Sequence, residues 1–198
     1  MTIPWYDVDE ILPDVIRIND GDLDLSYIVR GSQRTGIIDT GMGIGNLAKV
    51  IAQYAPAPPP LVINTHAHPD HWGGNEQFAE CWVGAREYAW VQIEAAKHTF
   101  DGHITTDDAI AMLKPKRPLP PDFDPAHFAF DKVMTPTRLL KEGEIIDLGS
   151  FCFEVLVFPA HTTGSVFLLE RERRLLFSGD TVLRGTIWLH LAESAPPE

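Results

Sequence analysis

The stretch THAHPDHWGG, residues 65 to 74, places His66, His68, Asp70 and His71 within six consecutive positions, between an apolar run and a glycine pair. Imidazole nitrogen and carboxylate oxygen are a donor set that borderline divalent cations accept together. Alternate side chains of an extended chain share a face, so His66 and His68 are expected to pinch one cation between them. Pro69 then turns the chain, and Asp70 and His71 arrive one residue apart, aimed at a neighbouring position. The spacing therefore predicts ligands for two adjacent sites. A lone histidine is more often a satisfied core or surface residue than a ligand. Here three of the chain's eight histidines crowd one window, at the open end of an apolar strand, where α/β folds place their ligands.

The elements that must position this window can be read around it. VIRI (15 to 18), LDLSYIVR (23 to 30) and TGIIDTG (35 to 41) are short, rich in β-branched residues and fenced by Asn, Asp or Gly, the pattern of a strand meander. GIGNLAKVIAQYA (43 to 55) spaces Leu47, Val50, Ile51 and Tyr54 at three and four residues, which predicts an amphipathic helix. The prolines of PAPPP end it. LVIN (61 to 64) reads as a strand buried on both faces, GGNEQFAE (73 to 80) as a short helix, CWVG as a strand and AREYAWVQIEAAKHTF (85 to 100) as a longer helix. Strand and helix in alternation are the rhythm of a layered α/β fold. Residues 101 to 136 are rich in proline and lack a sustained period, as in a lid or binding loop, or in a surface insertion packed down by its own aromatics. TRLLKEGEIIDLG, FCFEVLVF and SVFLLERERRLLFSGD return to strands, with turns at EG and ERER. Cys81 and Cys152 sit inside apolar runs and read as buried strand thiols.

The 198 residues, 44% hydrophobic and 22% charged, suit one domain spanning 1–198. No apolar stretch approaches the roughly 20 residues of a membrane-spanning helix, and MTIPWYDVDE lacks the basic start of a secretion signal. A soluble, cytoplasmic protein with no membrane partner is the expectation. A net charge of −12 speaks against a nucleic-acid partner. The basic run KPKRP (114 to 118) reads as a solvated loop.

THAHPDH followed by GG resembles the His-x-His-x-Asp-His signature of the metallo-β-lactamase superfamily. IIDTG (37 to 41) resembles that family's Asp-Thr-Gly turn, in which Asp39 would steady the metal loop from behind the ligands. LLKEGEIIDLGSFCFEVLVFPAHTTGS resembles the segment ending in the third histidine of the first metal, here His161. LLFSGDT resembles the turn carrying a bridging carboxylate, here Asp180. These motifs lie in the family's order and cover nearly the whole chain. The resemblance implies an α/β fold, a four-layer αββα sandwich, with His66, His68 and His161 on one metal, Asp70 and His71 on a second, and Asp180 between them. Taken by themselves, His161 is a histidine after a strand and Asp180 a turn aspartate. The cofactor implied is a pair of zinc ions, with iron or manganese as alternatives. Such a pair shares a water, lowers its pKa toward neutrality and makes hydroxide available for attack. Asp70 would be the catalytic carboxylate, orienting the hydroxide or passing a proton to the leaving group.

Similar enzymes complete the second metal with one more histidine, in a Gly-His turn after a further helix and strand. Here the one histidine beyond Asp180 is His190, in IWLHLAES. Three accounts follow: a truncated chain that lacks the C-terminal helix and strand, a natural variant with a weak second site, or His190 as substitute ligand. GTIWLHLAES resembles the approach to the missing helix and favours truncation. An incomplete second half should expose apolar surface on the last sheet, which invites a homodimer. Ala67, where the di-iron flavoprotein relatives carry glutamate, ranks hydrolysis above redox chemistry. Ala160 and Thr163 stand where relatives tend to have glycine and proline, a change in loop stiffness. The expected function is a metal-dependent hydrolase of a small ester-like molecule: a thioester, a lactone or a related acyl compound. The alternatives are a mononuclear iron dioxygenase acting on a persulfide and a non-catalytic metal-binding protein.

Overall fold

The computed structural model describes residues 4–55, 59–97, 107, 110–111, 116–125, 133–184, 186–187, 189 and 194. β1 (Tyr6–Leu12), β2 (Val15–Asp20), β3 (Asp24–Arg30) and β4 (Thr35–Ile38) form an antiparallel meander. Its pleat sends Val15, Val29 and Ile38 to one face and Ile16, Ile18, Ile28 and Ile37 to the other, so both faces must be covered. β1 carries little of that pattern. It is an edge strand, mostly exposed, and so has no apolar alternation to give it away.

α1 (Leu47–Tyr54) begins at Asn46, whose side-chain oxygen accepts a hydrogen bond from the Lys49 amide at 2.9 Å. The glycines of the predicted helix stay outside it. Leu47 and Ile51 pack on the outer face of the meander, and the chain returns as β5 (Leu61–Asn64), parallel to β4. After a single helical turn, α2 (Pro69–Trp72), come β6 (Cys81–Gly84), α3 (Ala85–Lys97) and β7 (Arg138–Leu140), both strands parallel to β5. Among the described residues the sheet has seven strands in sequence order. The helix expected over 73 to 80 is instead one 3₁₀ turn, Asn75–Gln77. Gly73 and Gly74 lie directly against neighbouring backbone: a Cβ would fall 2.3 Å from the Met42 carbonyl oxygen at the first and 2.6 Å from that of Thr40 at the second.

β8 (Ile145–Asp147), β9 (Cys152–Val157), β10 (Val166–Glu170) and β11 (Leu175–Phe177) make a second, antiparallel sheet in the order β11-β10-β9-β8. ERER joins β10 to β11 as expected. The EG turn does not make a hairpin: β7 pairs with β6 and β8 with β9, so the turn carries the chain from one sheet to the other. The sheets meet through Val29, Ile38, Ile63, Phe153, Val155 and Leu168, with Phe177 edge-on to both Tyr27 (5.1 Å) and Phe153 (5.7 Å). Strand alternation that turns Phe153 inward turns Cys152 outward; this thiol is exposed, against expectation, while Cys81 is buried.

The described residues thus build helix, sheet and sheet layers of an α/β sandwich, and the far face of the second sheet shows solvent Ile145 and Leu176. Most of the irregular stretch 101–136, and His190, lie outside the described residues. Within it, Leu119 and Phe123 pack against Trp5, Met42 and Ile44, and Arg117 is no solvated cation. Its guanidinium forks onto Asp22 at 2.9 and 3.0 Å and pairs with Asp7. No helix among the described residues is long and apolar enough to cross a membrane.

One buried carboxylate locks the turn after β4. Asp20 accepts hydrogen bonds from the Trp5 indole N–H and from the Met42 amide at 3.2 Å. Burial pushes its carboxyl up to about 6 against those two bonds. Gly41 sits beneath it at φ +66, with room for no side chain: a Cβ would lie 1.9 Å from Asp20 Oδ2. Gly41→Ala is therefore expected to lower stability by at least ~2 kcal/mol, from the left-handed backbone and the displaced carboxylate together. Urea denaturation measures this, and an unchanged midpoint contradicts it.

Candidate metal centre

The motif stands where β5 ends. His66 and His68 lie beyond the last strand residue, Asn64, so strand alternation is not what aligns them. Their rings converge all the same, with His66 Nε2 3.1 Å from His68 Nδ1. His161, in the loop between β9 and β10, brings its Nε2 to 2.9 Å from the same His68 nitrogen. Two nitrogens about 3.3 Å apart form the edge of a tetrahedron with ~2.05 Å metal bonds, so these separations suit a common cation. The three ligand atoms lie within 4.8 Å of one another.

Two of the rings, His66 and His71, are aimed from behind. Asp39, at the end of β4, accepts from the Thr65 amide at 2.8 Å and the Thr65 hydroxyl at 2.7 Å. Thr65 Oγ1 stands 3.1 Å from His66 Nδ1. With its hydroxyl hydrogen committed to Asp39, this oxygen accepts from the ring N–H, which leaves the Nε2 lone pair facing the other histidines. Asp39 Oδ2 also takes the His71 Nδ1–H at 2.9 Å. Asp39 thus contacts both Thr65 and His71. Gly179, before Asp180, closes on the same spot: a Cβ there would lie 2.5 Å from Thr65 Oγ1.

Asp70 and His71 lie on α2. Its His68 N-cap and Pro69 start the turn, and the His71 carbonyl is gripped by the Thr40 amide at 2.8 Å and the Asn64 side-chain amide at 2.9 Å. His71 Nε2 is buried without a hydrogen-bond partner. Around it stand Asp180 Oδ1 at 3.4 Å, Asp24 Oδ2 at 3.5 Å and Asp70 Oδ2 at 4.0 Å. Asp180 also reaches toward the first cluster, 3.9 Å from His161 Nε2. All six predicted ligands thus meet in one place, and Asp180 stands between the two groups.

The electrostatics of the two groups differ. Burial and the neighbouring imidazoles hold His66 well below its ordinary value, so it is neutral and able to ligate. Burial alone would do the same to His71, but Asp24, Asp39, Asp70 and Asp180 push it well above. Burial raises Asp180, yet the imidazoles of His71, His161 and His68 hold it below the usual carboxylate range. The second group is a carboxylate-rich pocket around one ring nitrogen, an environment that favours a cation.

Two contributors were not singled out in the sequence. Glu87, in the first turn of α3, is buried and holds both histidine loops: its carboxylate accepts from the Ala67 amide (2.9 Å), the Thr162 hydroxyl (2.9 Å) and the Gly164 amide (3.1 Å). Asp24, the first residue of β3, joins the His71 group. A glutamate early in a helix ordinarily completes the helix dipole, and an aspartate at a strand start ordinarily faces water, so neither carries a local signal. Glu87→Ala leaves three buried donors without their acceptor and should cost on the order of 3 kcal/mol. Comparing its urea midpoint with that of the parent chain checks this, since a merely solvated helix carboxylate would give no change.

Residues 20–193 match the family model of the metallo-β-lactamase superfamily. An acyl-coenzyme A thioesterase, MBLAC2, of Gallus gallus is 35% identical over 177 residues, 82% of this chain and 60% of the relative. The protein of the same name from Homo sapiens is 31% identical over 176 residues, with the same coverage. The chain therefore spans less than two thirds of the length of these curated relatives. Among solved structures, a metallo-β-lactamase from Pontibacter korlensis superposes with a TM-score of 0.61 over 96% of this chain and 79% of that one, at 18% identity. It shares the fold. With the signature, the two sheets and the convergent ligand geometry, the matching family model establishes that this chain belongs to the metallo-β-lactamase superfamily.

Proposed function

We propose that the chain is a metal-dependent hydrolase of thioesters that carries two divalent cations, zinc in the first instance. The observation that carries this reading is the pair of donor groups: three imidazoles on one side, and beside them the buried, unpartnered His71 Nε2 among carboxylates. Two such cations supply Lewis acidity and a water of lowered pKa. The similarity to acyl-coenzyme A thioesterases supports a thioester rather than a lactone as the substrate class. The carboxylate-rich second group favours a dinuclear hydrolase over the mononuclear iron dioxygenase.

In this reading His66, His68 and His161 hold the first ion through their ring nitrogens, while Asp70 and His71 hold the second and Asp180 is shared. The side chains of Asp70 and Asp180 are 43% and 36% exposed, whereas the His66, His71 and His161 rings are buried. His68 is half-buried, so the more open part of the centre is the one lined by Asp70, Asp180 and His68. Asp70 is the group there that can take a proton during attack and release it to the departing thiolate.

Two measurements test this. The purified chain should release thiol from short- and long-chain acyl-coenzyme A, with at least ~100-fold loss on dialysis against a chelator and recovery on adding zinc, manganese or iron(II). Turnover indifferent to chelation would defeat the assignment. His66→Ala should retain no metal at the first position, and metal analysis that finds full occupancy in this variant refutes the ligand set.

A further inference from the structure

We infer that Asp24 is a ligand of the second cation, reaching it from the N-terminal half of the chain; the inference rests on the two-cation reading above. The carboxylates around His71 Nε2 include one that the family resemblance does not name, Asp24. It opens β3, and the antiparallel β2–β3 pairing that matches it with Asp20 brings it alongside α2, which packs on the same strand.

Three observations on Asp24 agree. Its Oδ2 points at His71 Nε2 from 3.5 Å, and its side chain is only 14% exposed. The reactive atoms of Asp24, Asp70 and His71 lie within 4.8 Å of one another, a spread that one ion with bonds of ~2.0–2.2 Å can span. His71 Nε2, the atom they surround, is buried and makes no hydrogen bond, although His71 Nδ1 is fully committed to Asp39. A structural carboxylate in this place would be expected to answer a guanidinium, an ammonium or a set of backbone amides. Among the described residues the ionic neighbour of Asp24 is His71, and the one backbone amide it takes is that of Leu25, at 2.8 Å through Oδ1. Oδ2 is left for the pocket.

Donor chemistry points the same way. Asp24, Asp70 and Asp180 place three carboxyl groups around a single imidazole, a set of oxygen and nitrogen donors that a divalent cation accepts together. Asp24 is thereby distinct from Asp39, which touches the metal side only through the far nitrogen of His71 and through Thr65.

The test is metal binding by Asp24→Asn, which keeps the Oδ1 acceptor for the Leu25 amide and removes the anionic oxygen. Metal-free protein is titrated with zinc(II) against a chromophoric chelator, and with cobalt(II) while its visible absorption is followed. The parent chain is expected to take two equivalents, and Asp24→Asn to hold the first with unchanged affinity and the second at least ~10-fold more weakly. The cobalt bands of the first equivalent should be the same in both proteins. Equal affinity for both equivalents overturns the role of Asp24 while leaving the two-cation reading intact. A parent chain that takes fewer than two equivalents overturns both. Asp24→Ser guards against a folding artefact: if the metal-free thermal midpoints of both variants fall well below that of the parent, Asp24 is a structural residue and the inference fails.

Discussion

The arrangement depends first on a single buried carboxylate. Asp39 receives the Thr65 amide, the Thr65 hydroxyl and the His71 imidazole N–H, and it does so from a left-handed backbone conformation at φ 58. That conformation costs a non-glycine residue about 1–2 kcal/mol. Three hydrogen bonds to an ionised group, at about 1.5–3 kcal/mol each, more than offset it. The consequence is mechanical coupling. Thr65 aims His66 and therefore the three-imidazole group; His71 belongs to the other. Because one side chain holds both, the two donor groups keep a fixed relation, and neither can be moved without straining the turn between β4 and α1.

That turn is built to resist. Asp20 and the Trp5 indole clamp it from one side, and the Gly73–Gly74 backbone of the motif presses on it from the other. The glycine pair in THAHPDHWGG thus has a steric reason, since any side chain at either position would meet a carbonyl oxygen of the turn. Glu87 makes the corresponding tie across the open end of the sheets, joining the Ala67 loop to the Thr162–Gly164 loop. The second sheet is fastened at the same level by the Val166 amide, which donates to the Thr65 carbonyl at 2.9 Å. Loops that would otherwise be the most mobile part of the fold are anchored to one another by buried polar bonds.

What the sequence disclosed follows from this geometry. His66, His68, Asp70 and His71 were legible because they are near neighbours whose spacing itself makes chemical sense. The meander strands β2–β4 and LVIN were legible from short apolar, β-branched runs fenced by turn residues or proline, and α1 from the three- and four-residue spacing of its apolar side chains. His161 and Asp180 look ordinary in their own surroundings and could be placed only through family resemblance, because their meaning comes from sheet packing that brings β10 and the turn after β11 beneath β5. Asp24 and Glu87 were not legible at all: the contacts that bring each to the centre, Asp24 with His71 and Glu87 with Ala67, Thr162 and Gly164, span distant parts of the sequence, and each conforms to the ordinary statistics of its element. The EG turn misled for a related reason. Two short strands joined by a tight turn look like a hairpin until a second sheet competes for one of them, and apolar burial between the sheets decides the outcome.

The two donor groups also divide the chemistry. The first is a set of imidazoles, of which His66 is held neutral by burial; neutral ligands would leave a cation there its full positive charge. The second is made largely of carboxylates, two of them partly open to solvent, which would neutralise a cation and weaken its pull. On the proposed reading Asp180, standing between the groups, would be shared unequally. Asp70 and Asp180 are partly open to solvent, while His66 and His161 are buried and His68 is half-buried. On the proposed thioesterase reading a departing thiolate would leave toward the carboxylate side, where Asp70 stands among acidic neighbours. Asymmetry of charge, fixed by the common Asp39 anchor, is what gives an otherwise similar pair of sites a direction.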